Sequence, residues 1–199
     1  MRLQRHDRQE LIIDGSYLVS RHVYKCRPSL EEERPEIDFQ DWVNVQNDWL
    51  AVAEVLDGTR SETDYPAVNI TVRDPNALEW DCYQDTGSGL FSERFLATVG
   101  DEALQRFTLF PARLNEAPYF FLRCNTAVDC LNLHASRFKT FKHDPSRIMQ
   151  MLSFTFYDDR VPEYALFCIP ETTQLLATES VASRIRGSTL KGVRLIELQ

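Results

Sequence analysis

The side chains best suited to nucleophilic or metal chemistry in this chain are its five cysteines and four histidines, so their spacing is the first test. Cys130 and His134 stand four residues apart beside Asp129, the residue types of a thiolate nucleophile and its base. Cys130 nevertheless lies in the apolar alternation Val128-Asp129-Cys130-Leu131, which suits a packed core thiol. His6, His22, His134 and His143 are scattered, with no HxxxH, HExxH or Cys/His cluster, and this predicts no metal site. Cys26, Cys82, Cys124, Cys130 and Cys168 are odd in number, widely spaced and without a CxxC pair, so reduced core thiols are expected. Asp158-Asp159, and Asp57 with Glu62 and Asp64, are the grouped carboxylates; such groups usually form solvated faces. Gly87-Ser88-Gly89 is followed by neither GxxxxGK[ST] nor GxGxxG, so no phosphate loop and no cofactor are expected. Arg137, Lys139 and Lys142 interleave with Phe138 and Phe141, a pattern expected to form an exposed edge with its aromatics turned inward.

A net charge of −8 argues against nucleic-acid binding, which needs Lys and Arg against phosphate, and is compatible with a basic protein partner. The 199 residues, 43% of them apolar, predict one domain with a sizeable core. The opening MRLQRHDRQE has charges but no apolar run behind it, and Leu11-Ile12-Ile13 is too short to span a bilayer. The expectation is a cytoplasmic protein with no membrane contact.

The elements that must position these residues are organised around Leu90–Leu133. Ser92 precedes Phe95, Leu96 and Val99 at helical spacing and is placed to cap the helix, with Glu93 at the positive end of its dipole. Gly100 ends that turn and Asp101 starts another, through Leu104. Phe107, Leu109 and Phe110 follow as a strand whose central pairing Pro111 should limit. A frame shift of 86 residues lays Leu90–Phe110 on Leu176–Ile196 without a gap. Ser92 falls on Thr178, Glu93 on Glu179, Phe95 on Val181, Val99 on Ile185 and Phe107 on Val193, so an internal duplication is a candidate feature of the fold.

Elsewhere, Tyr17–Tyr24 reads as a strand pair or one bent strand, and Cys26–Pro35 as a loop or exposed turn. Trp49–Leu56 fits a buried helix or a strand. Val68, Ile70 and Val72 alternate with polar residues as a half-buried strand. His143-Asp144-Pro145 reads as a turn, Met149–Phe156 and Tyr164–Ile169 as strands. The fold class is α+β: a mixed sheet with short capped helices. Phe95, Leu96, Leu109, Phe121, Leu131, Phe154 and Phe167 are the expected core.

Leu90-Phe91-Ser92-Glu93-Arg94-Phe95, the strand ending near Pro111, Tyr119-Phe120-Phe121-Leu122, Val128-Asp129-Cys130-Leu131-Asn132 with Ser136, and Gly192-Val193-Arg194-Leu195 together resemble a known pattern. It is that of the cytoplasmic immunity-protein family of bacterial polymorphic toxin systems first defined on a Myxococcus protein. That family has a Val-Ser-Glu-Arg helix start, a Phe-x-Pro-Val strand and a closing Gly-Val-x-Phe strand. Arg123-Cys124 and Thr178-Glu179 depart from it. The resemblance covers about Leu90–Leu198 and divides the single domain into a variable part, 1–89, and a family-like core, 90–199. It implies a non-enzymatic inhibitor that binds a cognate toxin domain, with no catalytic residues to carry over. An enzyme of unrecognised type and a structural adaptor of a secretion-linked assembly are the competing readings. The expected docking face is acidic: Glu31, Glu32, Glu33, Asp38 and Asp41 beside Trp42, then Asp57, Glu62 and Asp64 after Trp49. Acids near an aromatic anchor suit a basic partner.

Overall fold

The computed structural model describes residues 21–28, 49–72, 78–83, 89–172 and 174–198. Among them the chain runs β1 (Val23–Pro28), α1 (Trp49–Asp57), a 3-10 turn (Glu62–Asp64), β2 (Val68–Ile70), β3 (Cys82–Tyr83) and β4 (Leu90–Ser92). It continues with α2 (Glu93–Val99), α3 (Asp101–Leu104), β5 (Phe107–Leu114), β6 (Ala117–Cys124), β7 (Arg137–Phe141) and β8 (Asp144–Ser153). Then come β9 (Leu166–Phe167), β10 (Leu176–Thr178), α4 (Glu179–Arg186) and β11 (Val193–Leu198). The architecture is α+β and mostly β. A five-stranded sheet has the order β2-β5-β6-β4-β3, a four-stranded sheet the order β11-β1-β10-β9, and β7-β8 form a separate ribbon. Among the described residues, only β2 runs parallel to its neighbour; the other pairings are antiparallel.

The 86-residue register survives in three dimensions. Both windows fold as strand, helix, strand, with α3 added in the first. In the first, β6 lies between β4 and β5, so that Leu90 and Phe110 both pair with Phe121. In the second, β1 lies between β10 and β11, and Leu176 and Ile196 both pair with Lys25. Phe107 pairs with Cys124 as Val193 pairs with Pro28, and Ser92 with Tyr119 as Thr178 with Val23. The two units are therefore in one register throughout, but they are connected differently. β6 follows β5 through Asn115 and Glu116, both at positive φ (44° and 67°), the primed geometry that suits the twist of a two-residue hairpin. β1 instead enters from the other end of the chain.

The units pack through their helices. Phe95 and Val99 of α2, and Val181, Ala182 and Ile185 of α4, join Phe91, Leu122, Leu166 and Ala177 in one apolar cluster. A second cluster lies where α1 covers the five-stranded sheet. Ala51, Val52, Val55 and Leu56 are buried while Leu50 is exposed, and this one-sided burial settles the segment as a helix. A third gathers Cys130, Leu131, Phe154 and Phe167.

Several expectations need correction. β1 extends through Cys26–Pro28, where a loop or exposed turn was expected, because β11 pairs with all three residues. β5 continues past Pro111 to Leu114; its β2 pairing begins only at Ala112, so the missing N–H falls where the strand has a neighbour on one side. Leu109 is 39% exposed, on the opposite side of the strand from Phe110, and Leu96 is only partly buried. β8 begins at Asp144 and includes the expected turn proline, and the turn sits at Lys142-His143. Phe138 and Phe141 are half-buried rather than turned into a core, because the ribbon pairs with neither larger sheet. β9 is two residues long.

Candidate functional site

Among the described residues, two places concentrate polar groups. The first is a junction built on Asp81, which is 1% exposed. Ser92 begins α2, and its Oγ accepts from the Phe95 amide at 3.1 Å while donating to Asp81 Oδ1 at 2.5 Å. Arg94, in the first turn of the helix, grips the same carboxylate with Nε on Oδ1 at 2.9 Å and Nη2 on Oδ2 at 2.5 Å. The Lys191 amide donates to Oδ2 at 2.8 Å, and Lys191 Nζ reaches Glu79 Oε2 at 2.5 Å. Tyr119 Oη donates to the Trp80 carbonyl at 2.7 Å, and burial pushes its phenol up to about 12. The ion-paired Lys191 holds the Glu79 carboxyl below the usual range. Gly192 closes the junction at φ 76°; a Cβ there would stand 2.2 Å from the Trp80 ring. The two repeat units are thus tied at one point, with Ser92 and Arg94 from the first and Lys191 and Gly192 from the second. Sequence reasoning missed Asp81. Its signal was a lone acid between Trp80 and Cys82.

The second place is a cleft of about 1000 Å³ between the end of α1 with its following loop, the end of β6, and the segment after β9. Arg123 braces one wall: Nη1 donates to the Val55 carbonyl at 3.0 Å, Nη2 pairs with Glu62, and the guanidinium stands 5.2 Å from the Phe110 ring centroid. Cys124 and Cys168 both line this cleft. The Cys168 hydrogen bond, assisted by the backbone amides of Cys168 and Thr126 and by Arg106, holds the Cys124 thiol well below the 9.0 of a free cysteine against its partial burial. The same bond, with burial, drives Cys168 far upward.

Of the nine acidic-face residues, Glu31, Glu32, Glu33, Asp38, Asp41 and Trp42 lie outside the described residues. The other three are placed. Asp57 and Glu62 sit on the cleft rim, and Asp64 stands beside them, 3.5 Å from Arg60 Nε. Each has an internal partner. Asp57 accepts from the Thr59 hydroxyl at 2.6 Å and the Thr59 amide at 2.9 Å, which hold its carboxyl below the ordinary value, and Glu62 is engaged by Arg123. The Cys130 triad does not assemble into an activated thiol. Cys130 is fully buried, burial pushes its thiol up to about 12, Asp129 is turned to Arg160 at 3.6 Å, and His134 is exposed.

Among the described residues, no three His, Cys, Asp or Glu side chains are grouped to hold a metal ion, and no helix is long and apolar enough to cross a membrane. No protein-family model matches the chain, and no curated protein matches it either.

Proposed function

We propose that this chain is an immunity protein of the cytoplasm that binds a cognate bacterial toxin domain and blocks it without catalysis. The observation that carries the reading is the motif pattern over about Leu90–Leu198. Its most distinctive residues, Ser92, Arg94 and Gly192, have structural work at the Asp81 junction. Motif residues engaged in joining two repeat units suit a scaffold whose outer surface does the binding. The docking face is the acidic one, made of Asp57, Glu62 and Asp64 together with the acids of 31–41. A basic toxin surface would compete with Arg60 and Arg123 for these carboxylates.

The test is co-expression with the C-terminal domain of a large toxin encoded next to this gene. Growth should be rescued, and the two proteins should co-elute as a stoichiometric complex. Failure of both rescue and binding would overturn the reading. For the docking face, the association rate should fall as salt rises, and fall further on reversing Glu32 and Asp38. A salt-independent rate would remove the acidic face from the proposal.

A further inference from the structure

We propose that a cavity lined by Arg106, Asn125, Thr126 and Tyr164 is a binding site for a small phosphomonoester. The cavity measures about 470 Å³ and lies beside the large cleft, with Asn125 in the lining of both. Arg106 directly precedes β5, and Asn125 and Thr126 directly follow β6, its antiparallel partner. The Asn125 amide donates to the Arg106 carbonyl at 2.8 Å, so the two residues are held side by side at the end of the five-stranded sheet. Pro162 and Tyr164, ahead of β9 in the four-stranded sheet, supply another wall. Tyr164 Oη donates to the Val99 carbonyl at 2.6 Å, which fixes its ring.

The donors of this cavity are uncommitted. Arg94, Arg123 and Arg186 each hold a carboxylate. The half-buried Arg106 guanidinium has no ion pair or hydrogen bond among the described residues. A cation that has lost water without gaining a counter-charge favours an anion. Asn125 Oδ1 already accepts from the Thr108 hydroxyl at 3.0 Å, which leaves Nδ2 as the free donor. The Thr126 hydroxyl is likewise without a partner among the described residues. A guanidinium gives two parallel bonds to phosphate oxygens, and amide and hydroxyl donors suit the remaining ones. Glu102, exposed on α3, contributes the opposing charge to the lining. The volume exceeds that of a bare phosphate and falls within the roughly 300–1,000 Å³ of small-molecule sites. The phosphate therefore carries a small organic body, for which Pro162 and the Tyr164 ring are the apolar cover. The inference is independent of toxin binding.

The experiment titrates the full chain with phenyl phosphate at neutral pH and low salt, followed by amide NMR shifts and calorimetry. Saturable shifts should centre on Arg106, Asn125 and Thr126. Inorganic phosphate should compete but bind more weakly, because it lacks the ring, and benzoate should bind more weakly because a planar carboxylate leaves donors unused. Arg106→Ala should weaken phenyl phosphate roughly tenfold or more, and Arg106→Lys less, since a charge-assisted bond is lost in the first and a point charge is kept in the second. Glu102→Gln should tighten binding by removing a like charge. The wild-type titration stands even if a variant folds poorly. No saturable shift, or shifts centred on the cations of the β7-β8 ribbon, would overturn the site. Inorganic phosphate or benzoate binding as tightly as phenyl phosphate would overturn the ligand class. Unchanged affinity in a folded Arg106→Ala would also overturn the proposal.

Discussion

The windows Leu90–Phe110 and Leu176–Ile196 share one register, and the strand that completes each comes from a different part of the chain. In the first unit β6 arrives through a two-residue turn, so its pairing is local. In the second, β1 precedes its partners by most of the chain length, and closing so long a loop costs only logarithmically more than closing a short one. The interiors differ as well. Phe121 is fully buried at the position where the second unit carries the half-exposed Lys25. The helix starts differ in chemistry but not in backbone shape. Ser92 and Thr178 have nearly identical φ/ψ, near −72° and 160°, yet Ser92 caps its helix while Thr178 Oγ1 accepts from the Ala165 amide at 3.1 Å. A repeat can therefore preserve backbone geometry while each copy assigns the same side-chain position a different partner.

The sharpest way to break this comparison is to truncate the paired positions. Phe121→Ala should cost about 3–5 kcal/mol in urea unfolding, and Lys25→Ala about 1 kcal/mol or less. Equal losses would mean that the two central strands are packed alike. Next in size is Asp81→Ala, which removes the acceptor shared by Ser92, Arg94 and the Lys191 amide. It should cost about 3 kcal/mol, because buried donors left without partners lose solvation outright. A loss under about 1 kcal/mol would show that the junction does not hold the units together.

The caps come next. Ser92→Ala and Thr178→Ala should each cost about 1 kcal/mol. Hydrogen exchange separates them: the first should expose the Phe95 amide and the second the Ala165 amide. Faster exchange at Val181 in Thr178→Ala would instead make the second cap a copy of the first. The smallest effect concerns pH. A hydrogen bond from Tyr24 is the leading cause, ahead of Ser183 and Arg186, that holds the Glu179 carboxyl below the 4.5 of a free glutamate. A depressed folded-state value contributes stability that is complete above the unfolded value and is lost as pH falls through the folded one. The stability advantage of wild type over Glu179→Gln should therefore be constant near neutrality and shrink below about pH 4.5. An advantage that persists to lower pH would have another source.

Local sequence by itself determined the helix starts at Ser92 and Thr178, the strand from Phe107, the 86-residue register and the burial of Cys130. Each follows from the side-chain periodicity and capping chemistry of a few consecutive residues. It left Trp49–Leu56 open between helix and strand, and burial of one face against the five-stranded sheet resolved it. It placed Leu109 inside, because apolar character does not say which side of a strand is covered. It could not place β1 between β10 and β11, set Asp81 beneath Arg94 and Lys191, or bring Cys124 and Cys168 to one cleft. Those contacts join residues far apart in the chain, and only the packing of both sheets around α2 and α4 decides them. The acids after Trp49 were legible as a cluster, with Arg60 four residues before Asp64, but Arg123, which pairs with Glu62, reaches it only through the fold.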